Sequence, residues 1–268
     1  MLIRYGHEIT VSCDQPTPMV CLVAPHVERS GDLVFPEVVT TSPQVPMHSY
    51  YDLFGNLCRR FVAPSGSFTF TSDGTLRDSG KPDPVQHDAG EVPIAALPDD
   101  TLVYLMGSRY CETDRLSQTA WDLFGSTPQG WARVQAICDF VHNHIRFDYM
   151  QASSTRSAFD GFHARTGVCR DFAHLAITFT RAMNIPARYV NGYLGDIGVP
   201  VTGPMDFAAW MEVFLGGRWW TFDARNNVPR VGRIVVARGR DAADVPLINS
   251  FGPHILTGFT VWADEVKA

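Results

Sequence analysis

The stretch Gly167-Val168-Cys169-Arg170-Asp171-Phe172-Ala173-His174 places a cysteine where a glycine-bearing loop enters an amphipathic helix. Apolar residues recur at helical spacing from Cys169 to Met183, and Asn184-Ile185-Pro186 ends the pattern. Free N–H groups at a helix start stabilise a thiolate and can also hold the oxyanion of a tetrahedral intermediate. The position therefore suits a nucleophile with a lowered pKa. The alternative is a small buried residue at a helix cap.

Helical spacing precedes this cysteine and strand patterns follow it, which predicts an α+β fold. The predicted segments are helices over 117–124 and 129–144, and strands over 188–194, 208–215, 218–224, 232–237 and 259–262. Short strand patterns fill the front of the chain, including two on either side of a Gly55-Asn56 turn, and predict a small β-sandwich. The predicted organisation is a β-sandwich domain over 1–76, a Pro- and Asp-rich linker over 77–100 and a core domain over 101–268.

The segment 206–223 reads as a hairpin whose register is set by its turn. If Gly216-Gly217 is a two-residue turn, Leu215 faces Arg218 across the ladder. The same register makes Ala208 and Asp223 diagonal neighbours, roughly 6 to 8 Å apart. A side chain at position 208 could therefore reach the aspartate.

Two hairpin residues are candidates for the site. Asp223 is a candidate acid, and its alternative role is to pair with Arg225 or to end the strand. Trp210 lies on the face of Asp223 and is the candidate to line a peptide groove, although a large core residue needs no such explanation.

Three ordered motifs, at 167–174, 185–193 and 206–223, resemble the transglutaminase-like superfamily, which has the papain-like fold of cysteine acyltransferases and peptidases. The resemblance covers about residues 101–230, and the β-rich front half resembles the N-terminal domain that often precedes such cores in bacteria. It implies that Cys169 is the nucleophile and Asp223 the acid of a Cys-His-Asp triad. It also implies a peptide or protein substrate, with no cofactor and no metal.

The sequence departs from this pattern at the triad histidine, where it has Ala208. Alanine cannot take the thiol proton or protonate a leaving amine, so we expect impaired acyl transfer or hydrolysis at amide carbonyls. The alternative function is a non-catalytic peptide-binding or scaffold protein that retains the cleft.

Other histidines offer no clear replacement for the missing base. His174 lies about 140° around the helix from Cys169 and points elsewhere. His142-Asn143-His144 resembles a metal-nuclease motif in sequence only, because the two histidines lie on different faces of a helix end and cannot bind one metal ion. The remaining candidates, each a weak one, are His7, His26, His48, His87, His163 and His254.

Composition restricts the partners and the setting. Twenty-eight acidic residues against 22 Lys and Arg give a net charge of −6, which disfavours nucleic acid and anionic membrane surfaces. No apolar run approaches the roughly 20 residues of a membrane span, and the first residues do not read as a secretory signal. The six cysteines form no C-x-x-C pair, so neither a zinc site nor a disulfide framework is predicted. We expect a cytoplasmic protein.

Overall fold

The computed structural model describes residues 1–201, 203 and 205–267. Its helices are α1 (Thr113–Phe124), α2 (Trp131–His144), α3 (Ala158–Ala164) and α4 (Cys169–Ala182). Its strands are β1 (Leu2–Cys13), β2 (Thr17–Cys21), β3 (Val39–Ser42), β4 (His48–Tyr51), β5 (Leu57–Ala63), β6 (Gly66–Arg77), β7 (Arg146–Phe147), β8 (Thr166–Gly167), β9 (Ala187–Leu194), β10 (Phe207–Leu215), β11 (Arg218–Phe222), β12 (Arg233–Gly239), β13 (Ile248–Ser250) and β14 (Ile255–Glu265). None of the described helices is long and apolar enough to cross a membrane.

The front of the chain is rich in strands, as the patterns predict, and supplies three strands to each of two four-stranded antiparallel sheets. Their strand orders are β14-β1-β6-β3 and β13-β2-β5-β4. Alternate residues of β1 and β6 are buried, because one face of each strand points into the space between the sheets. Phe61 of β5 contacts Phe68 and Phe70 of β6 there, with ring centroids 5.2 and 5.7 Å apart. The predicted β-rich front region is confirmed.

The end of the described chain returns to these front sheets. β14 pairs antiparallel along most of β1, from Ile3 opposite Glu265 to Ser12 opposite Ile255, and β13 pairs with β2. The range 101–268 predicted for the core thus includes two strands of the sandwich sheets. Local patterning identified part of β14 as a strand but carries no information about its partner.

The predicted two-residue turn at Gly55-Asn56 is wrong. Tyr51 pairs with Leu57, so the connection between β4 and β5 is the five-residue loop 52–56. The Asp52 carboxylate organises this loop by accepting the backbone N–H of Phe54 at 2.8 Å. Such an Asx turn competes with a tight hairpin turn for the same residues.

The second half has helices against an antiparallel sheet of order β11-β10-β9-β12, which confirms the predicted α+β architecture. The central helix is α4, which packs against α1, α2 and α3 on one side and against β9 and β10 on the other. Every residue from Asp171 to Ala182 is buried as a result. The sheet and helices therefore fix the start of α4 firmly in space.

The segment predicted as a linker is attached to the core. Trp131 donates its backbone N–H to Ala89 O at 3.0 Å, and Gly216 donates its own to Gly90 O at 2.8 Å. The sandwich and the core also meet directly, because the Tyr193 hydroxyl lies 2.8 Å from His7 Nδ1 and donates to Val23 O at 3.0 Å.

Candidate active site

The hairpin β10–β11 has the register that its turn predicts. The ladder runs from Leu215 opposite Arg218 to Met211 opposite Phe222, with Gly216 and Gly217 between the strands. Both glycines have positive φ, 58° and 85°, as a type I′ turn requires. The ladder ends one residue before Asp223, which lies in the turn that follows β11.

Cys169 is the first residue of α4. The Asp171 carboxylate accepts the backbone N–H of Val168 at 2.8 Å and so secures the loop that enters the helix. Cys169 is also the one cysteine of six that is not fully buried. It lines a cleft of about 530 Å³ together with Ala208 and Ala209.

The Cys169 thiol is not activated by its surroundings. Burial raises its pKa to about 11, against the opposing effects of Arg225 and of the Ala209 backbone N–H, which favour the thiolate. The expectation that the helix start lowers this pKa is therefore not met.

A second cavity, of about 320 Å³, adjoins the cleft and shares Asp206, Phe207 and Ala208 with it. Tyr149 and Arg225 contribute to its polar wall. Burial raises the pKa of Asp206, although the Phe207 N–H and Arg225 act in the other direction. Ala208 thus lies where the two cavities meet.

Asp223 is closed in by hydrogen bonds. Its Oδ1 accepts the backbone N–H groups of Arg225 and Asn226, both at 3.0 Å. Its Oδ2 accepts Asn226 Nδ2 at 2.7 Å and Arg233 Nη2 at 2.8 Å. These four donors fill the acceptor sites of a carboxylate. Burial alone would raise the pKa of Asp223, but Arg233 and Asn226 hold it below its ordinary value.

Arg233 joins this aspartate to the segment before the core. Its Nε donates to Asp83 Oδ2 at 2.8 Å, and the guanidinium is almost fully buried. Arg225, the partner that the sequence suggested for Asp223, contributes only its backbone N–H and stacks its guanidinium on Phe147 at 4.1 Å. Asp223 therefore forms its ion pair with Arg233, ten positions further along the chain, and not with Arg225.

Trp210 is buried, with 1% of its surface exposed, and is absent from the walls of both cavities. It packs with Val190, Leu194 and Ala208, and the Arg233 guanidinium lies 4.9 Å from its ring centroid. Trp210, which the sequence suggested as a groove residue, therefore lies outside the cleft and contacts Arg233.

Among the residues that the structure describes, no histidine lines the cleft or the adjoining cavity. His174 is buried and its Nε2 accepts the backbone N–H of Ala242 at 3.2 Å. His163 packs on Phe159 and Phe162 within α3. His254 lies 2.8 Å from Ser250 Oγ and His48 stacks on Tyr50, so both belong to the sandwich strands and their loops.

Two further His side chains, at the end of α2, are also engaged elsewhere. His142 Nδ1 lies 3.1 Å from Ala224 O, and His144 Nε2 lies 2.7 Å from Phe162 O. His7 and His26 are buried at the junction of sandwich and core, and His87 packs against Trp131.

Sequence patterns did not identify two features of the site. The loop 242–249 forms one wall of the cleft, and Asn191 of β9 lies beside it and donates to Val245 O at 2.8 Å. Arg233 is the other omission. A strand pattern shows which residues share a face, but it does not show which distant loop covers that face.

The helix that begins at Cys169 and the β10–β11 hairpin both lie in the part of the chain that matches a known family. Residues 118–224 match the sequence model of the Transglutaminase-like superfamily. The core of this chain is thus transglutaminase-like, with a β-rich region in front of it.

Individual proteins resemble the chain over different lengths. A solved structure from Cytophaga hutchinsonii, described as a candidate cysteine protease, is 29% identical, covers 100% of this chain and 91% of its own, and superposes with a TM-score of 0.87. An uncharacterised protein of Mycobacterium leprae is 28% identical over 218 residues, 77% of this chain and 76% of the relative. An uncharacterised protein of Mycobacterium tuberculosis is 40% identical over 131 residues, 42% of this chain but only 40% of the relative.

Proposed function

We propose that this protein carries a thiol acyl-transfer site at Cys169 whose turnover is impaired, in a cleft that still binds peptides. The observation that carries the proposal is the composition of the cleft wall. Cys169 and Ala208 share that wall, and none of the histidines described lies there. A site of this kind has a nucleophile without a general base.

The proposed reaction begins when the Cys169 thiolate attacks a carbonyl carbon and forms a C–S bond. The C–N or C–O bond to the leaving group breaks as the tetrahedral intermediate collapses, and water or an amine then cleaves the thioester and returns the thiol. A leaving amine must take up a proton, whereas a nitrophenolate departs as an anion. Because no imidazole supplies that proton, we expect very slow amide cleavage and measurable acylation by activated esters.

The alternative is a peptide-binding protein that performs no chemistry. The closed hydrogen bonding of Asp223 favours it, because four donors leave the carboxylate no free acceptor site for an imidazole N–H. The two functions differ in whether Cys169 forms and releases an acyl group.

The test restores the imidazole. Ala208→His is compared with Ala208→His/Asn226→Ala, in which loss of the Asn226 side chain frees one acceptor site on Asp223. We expect the double variant to be acylated by p-nitrophenyl acetate about 10²-fold faster than the unaltered protein, the scale of general-base assistance, and the single variant to gain less. Each is measured beside the same protein carrying Cys169→Ala.

Two results would contradict this proposal. Strong amidase turnover by the unaltered protein would mean that another base serves Cys169. Absence of any gain in folded variants with a histidine at position 208 would favour the peptide-binding alternative.

A further inference from the structure

The cleft beside Cys169 has one distinctly apolar wall. Loop 242–249, whose last residues begin β13, supplies Val245, Pro246, Leu247 and Ile248 to it, and the small residues Ala208 and Ala209 also line the cleft. An open cleft of about 530 Å³ between such walls has room for a large side chain. Its surface suits apolar atoms better than a carboxamide.

Asn191 supplies a polar atom inside this apolar cleft. The residue is 5% exposed and lines the cleft, and its Nδ2 donates to Val245 O at 2.8 Å. Its Oδ1 is buried and has no hydrogen-bond partner among the described residues. A buried amide oxygen is stabilised by an N–H donor, so the site is completed by a ligand that brings one.

This oxygen belongs to the neighbourhood of the thiol. Asn191 lies directly opposite Ala209 in the β9–β10 ladder. The backbone N–H of Ala209 in turn acts on the Cys169 thiol. Cys169, Ala209 and Asn191 all line this one cleft, so a residue bound there with its carbonyl carbon at Cys169 can bring its own N–H to Asn191.

The charged groups of the cleft do not select a charged ligand. Its lining holds one cation, Arg170, and one anion, Asp206. Arg170 Nη2 donates to Ser153 O at 2.7 Å, and Asp206 Oδ1 accepts the Phe207 N–H at 2.6 Å. The two charges are opposite in sign and each side chain is held by backbone groups, so the cleft has no excess charge and the apolar wall and the Asn191 oxygen are left to determine preference.

We propose that the cleft binds an acyl residue with a large apolar side chain, seated against loop 242–249, whose N–H donates to Asn191 Oδ1. This specificity rests on the proposed function, because it assumes that Cys169 meets the carbonyl of the bound residue. It assigns an apolar residue, not glutamine, to the position next to the thiol.

The test measures acylation of Cys169 by three p-nitrophenyl esters, those of N-acetylphenylalanine, N-acetylglutamine and 3-phenylpropanoic acid. The last lacks the acetamido N–H. Rates are followed by intact mass and divided by those of N-acetylcysteine amide, which removes the intrinsic reactivity of each ester. We expect the phenylalanine ester to react about tenfold or more faster than the glutamine ester, and about fivefold or more faster than the phenylpropanoyl ester.

Variants at Asn191 separate the hydrogen bond from a structural effect. Asn191→Leu should remove the advantage of the acetamido group and keep the preference for a phenyl side chain. Asn191→Asp loses the same Nδ2–H bond to Val245 O as Asn191→Leu but retains an acceptor oxygen, so it should keep the acetamido advantage. Asn143→Leu, at an exposed asparagine of α2 that lies outside the cleft, is the matched control and should keep both the acetamido advantage and the phenyl preference. Thermal melting establishes that each variant is folded.

The outcomes distinguish this inference from the proposed function. Acylation of Cys169 with an equal or greater rate for the glutamine ester overturns the inference and leaves the proposed function standing. If folded Asn191→Leu still reacts faster with the N-acetylphenylalanine ester than with the phenylpropanoyl ester, Asn191 does not bind the acetamido N–H. If no ester modifies Cys169 while N-acetylcysteine amide reacts, the proposed function and the inference fall together.

Discussion

Cys169 and Asp223, the thiol end and the acid end of the candidate site, differ in their exposure, hydrogen bonding and pKa shift. Cys169 faces an open cleft and has a pKa raised to about 11. Asp223 accepts four hydrogen bonds, one of them from the buried Arg233, and has a lowered pKa. A thiol can remain neutral when it is buried, whereas a carboxylate must be paired. Under the proposed function, the alanine at position 208 leaves the cysteine without a base, and the four hydrogen bonds of Asp223 give this aspartate a structural role.

The largest effect expected from this difference is on stability at the acid end. Arg233→Met leaves Asp223 and Asp83 without their shared cation in a buried setting. We expect a loss of about 3 to 5 kcal/mol in the free energy of unfolding, measured by urea denaturation at pH 7. Arg146→Met is the control and should change that free energy by less than about 0.5 kcal/mol, because the Arg146 side chain is 78% exposed.

The same variant has a defined pH dependence. The lowered pKa of Asp223 stabilises the native protein above the pKa of an unfolded aspartate, about 3.9, and this contribution is lost as pH falls through the lower native value. Without Arg233, burial favours the protonated acid, which needs no cation. The stability deficit of Arg233→Met should thus narrow from pH 7 to pH 4. A deficit that stays constant would show that the ion pair is not its source.

At the thiol end, the expected effect is on reactivity. Iodoacetamide should label Cys169 before the five buried cysteines, but its rate should rise about tenfold per pH unit from pH 7 to pH 10. The labelling rate of a free cysteine, with a pKa near 8.5, stops rising at a lower pH. Peptide mapping against pH gives the profile. Levelling near pH 8.5 would mean that the helix start outweighs burial.

The smallest expected effect concerns two buried tryptophans that both stack on arginine. Trp210 lies under Arg233 and its Nε1 has no partner among the described residues, whereas Trp220 lies under Arg218 and donates Nε1–H to Leu215 O at 3.0 Å. Trp220→Phe should therefore be about 1 kcal/mol more destabilising than Trp210→Phe, after the common loss of ring volume. Equal losses in urea denaturation would indicate that Trp210 Nε1 is hydrogen-bonded in solution.

Much of the fold follows from local sequence signals. The helix that begins at Cys169 and the hairpin register around Gly216-Gly217 have the start and the pairing that their patterns predict. In each case the information lies within a few residues, in a turn or a periodicity.

The remainder depends on pairs that are distant in sequence. Nothing near Asp223 marks Arg233 as its partner, and the strand over 255–265 has no local feature that assigns it to the first strand of the chain. The unpartnered oxygen of Asn191 is likewise visible only when loop 242–249 is in place. Tertiary contacts decide these features.

The pairing of β14 with β1 has a consequence for the order in which the protein is built. During synthesis β1 and β6 emerge early and can pair, but the second edge of β1 stays open until residues 78–254 have been made and β14 follows. An open edge of this length is a template for pairing with another chain. The front sheet is therefore most exposed to misassembly while the transglutaminase-like core is still being translated, and the pairing of β14 then covers this edge of β1.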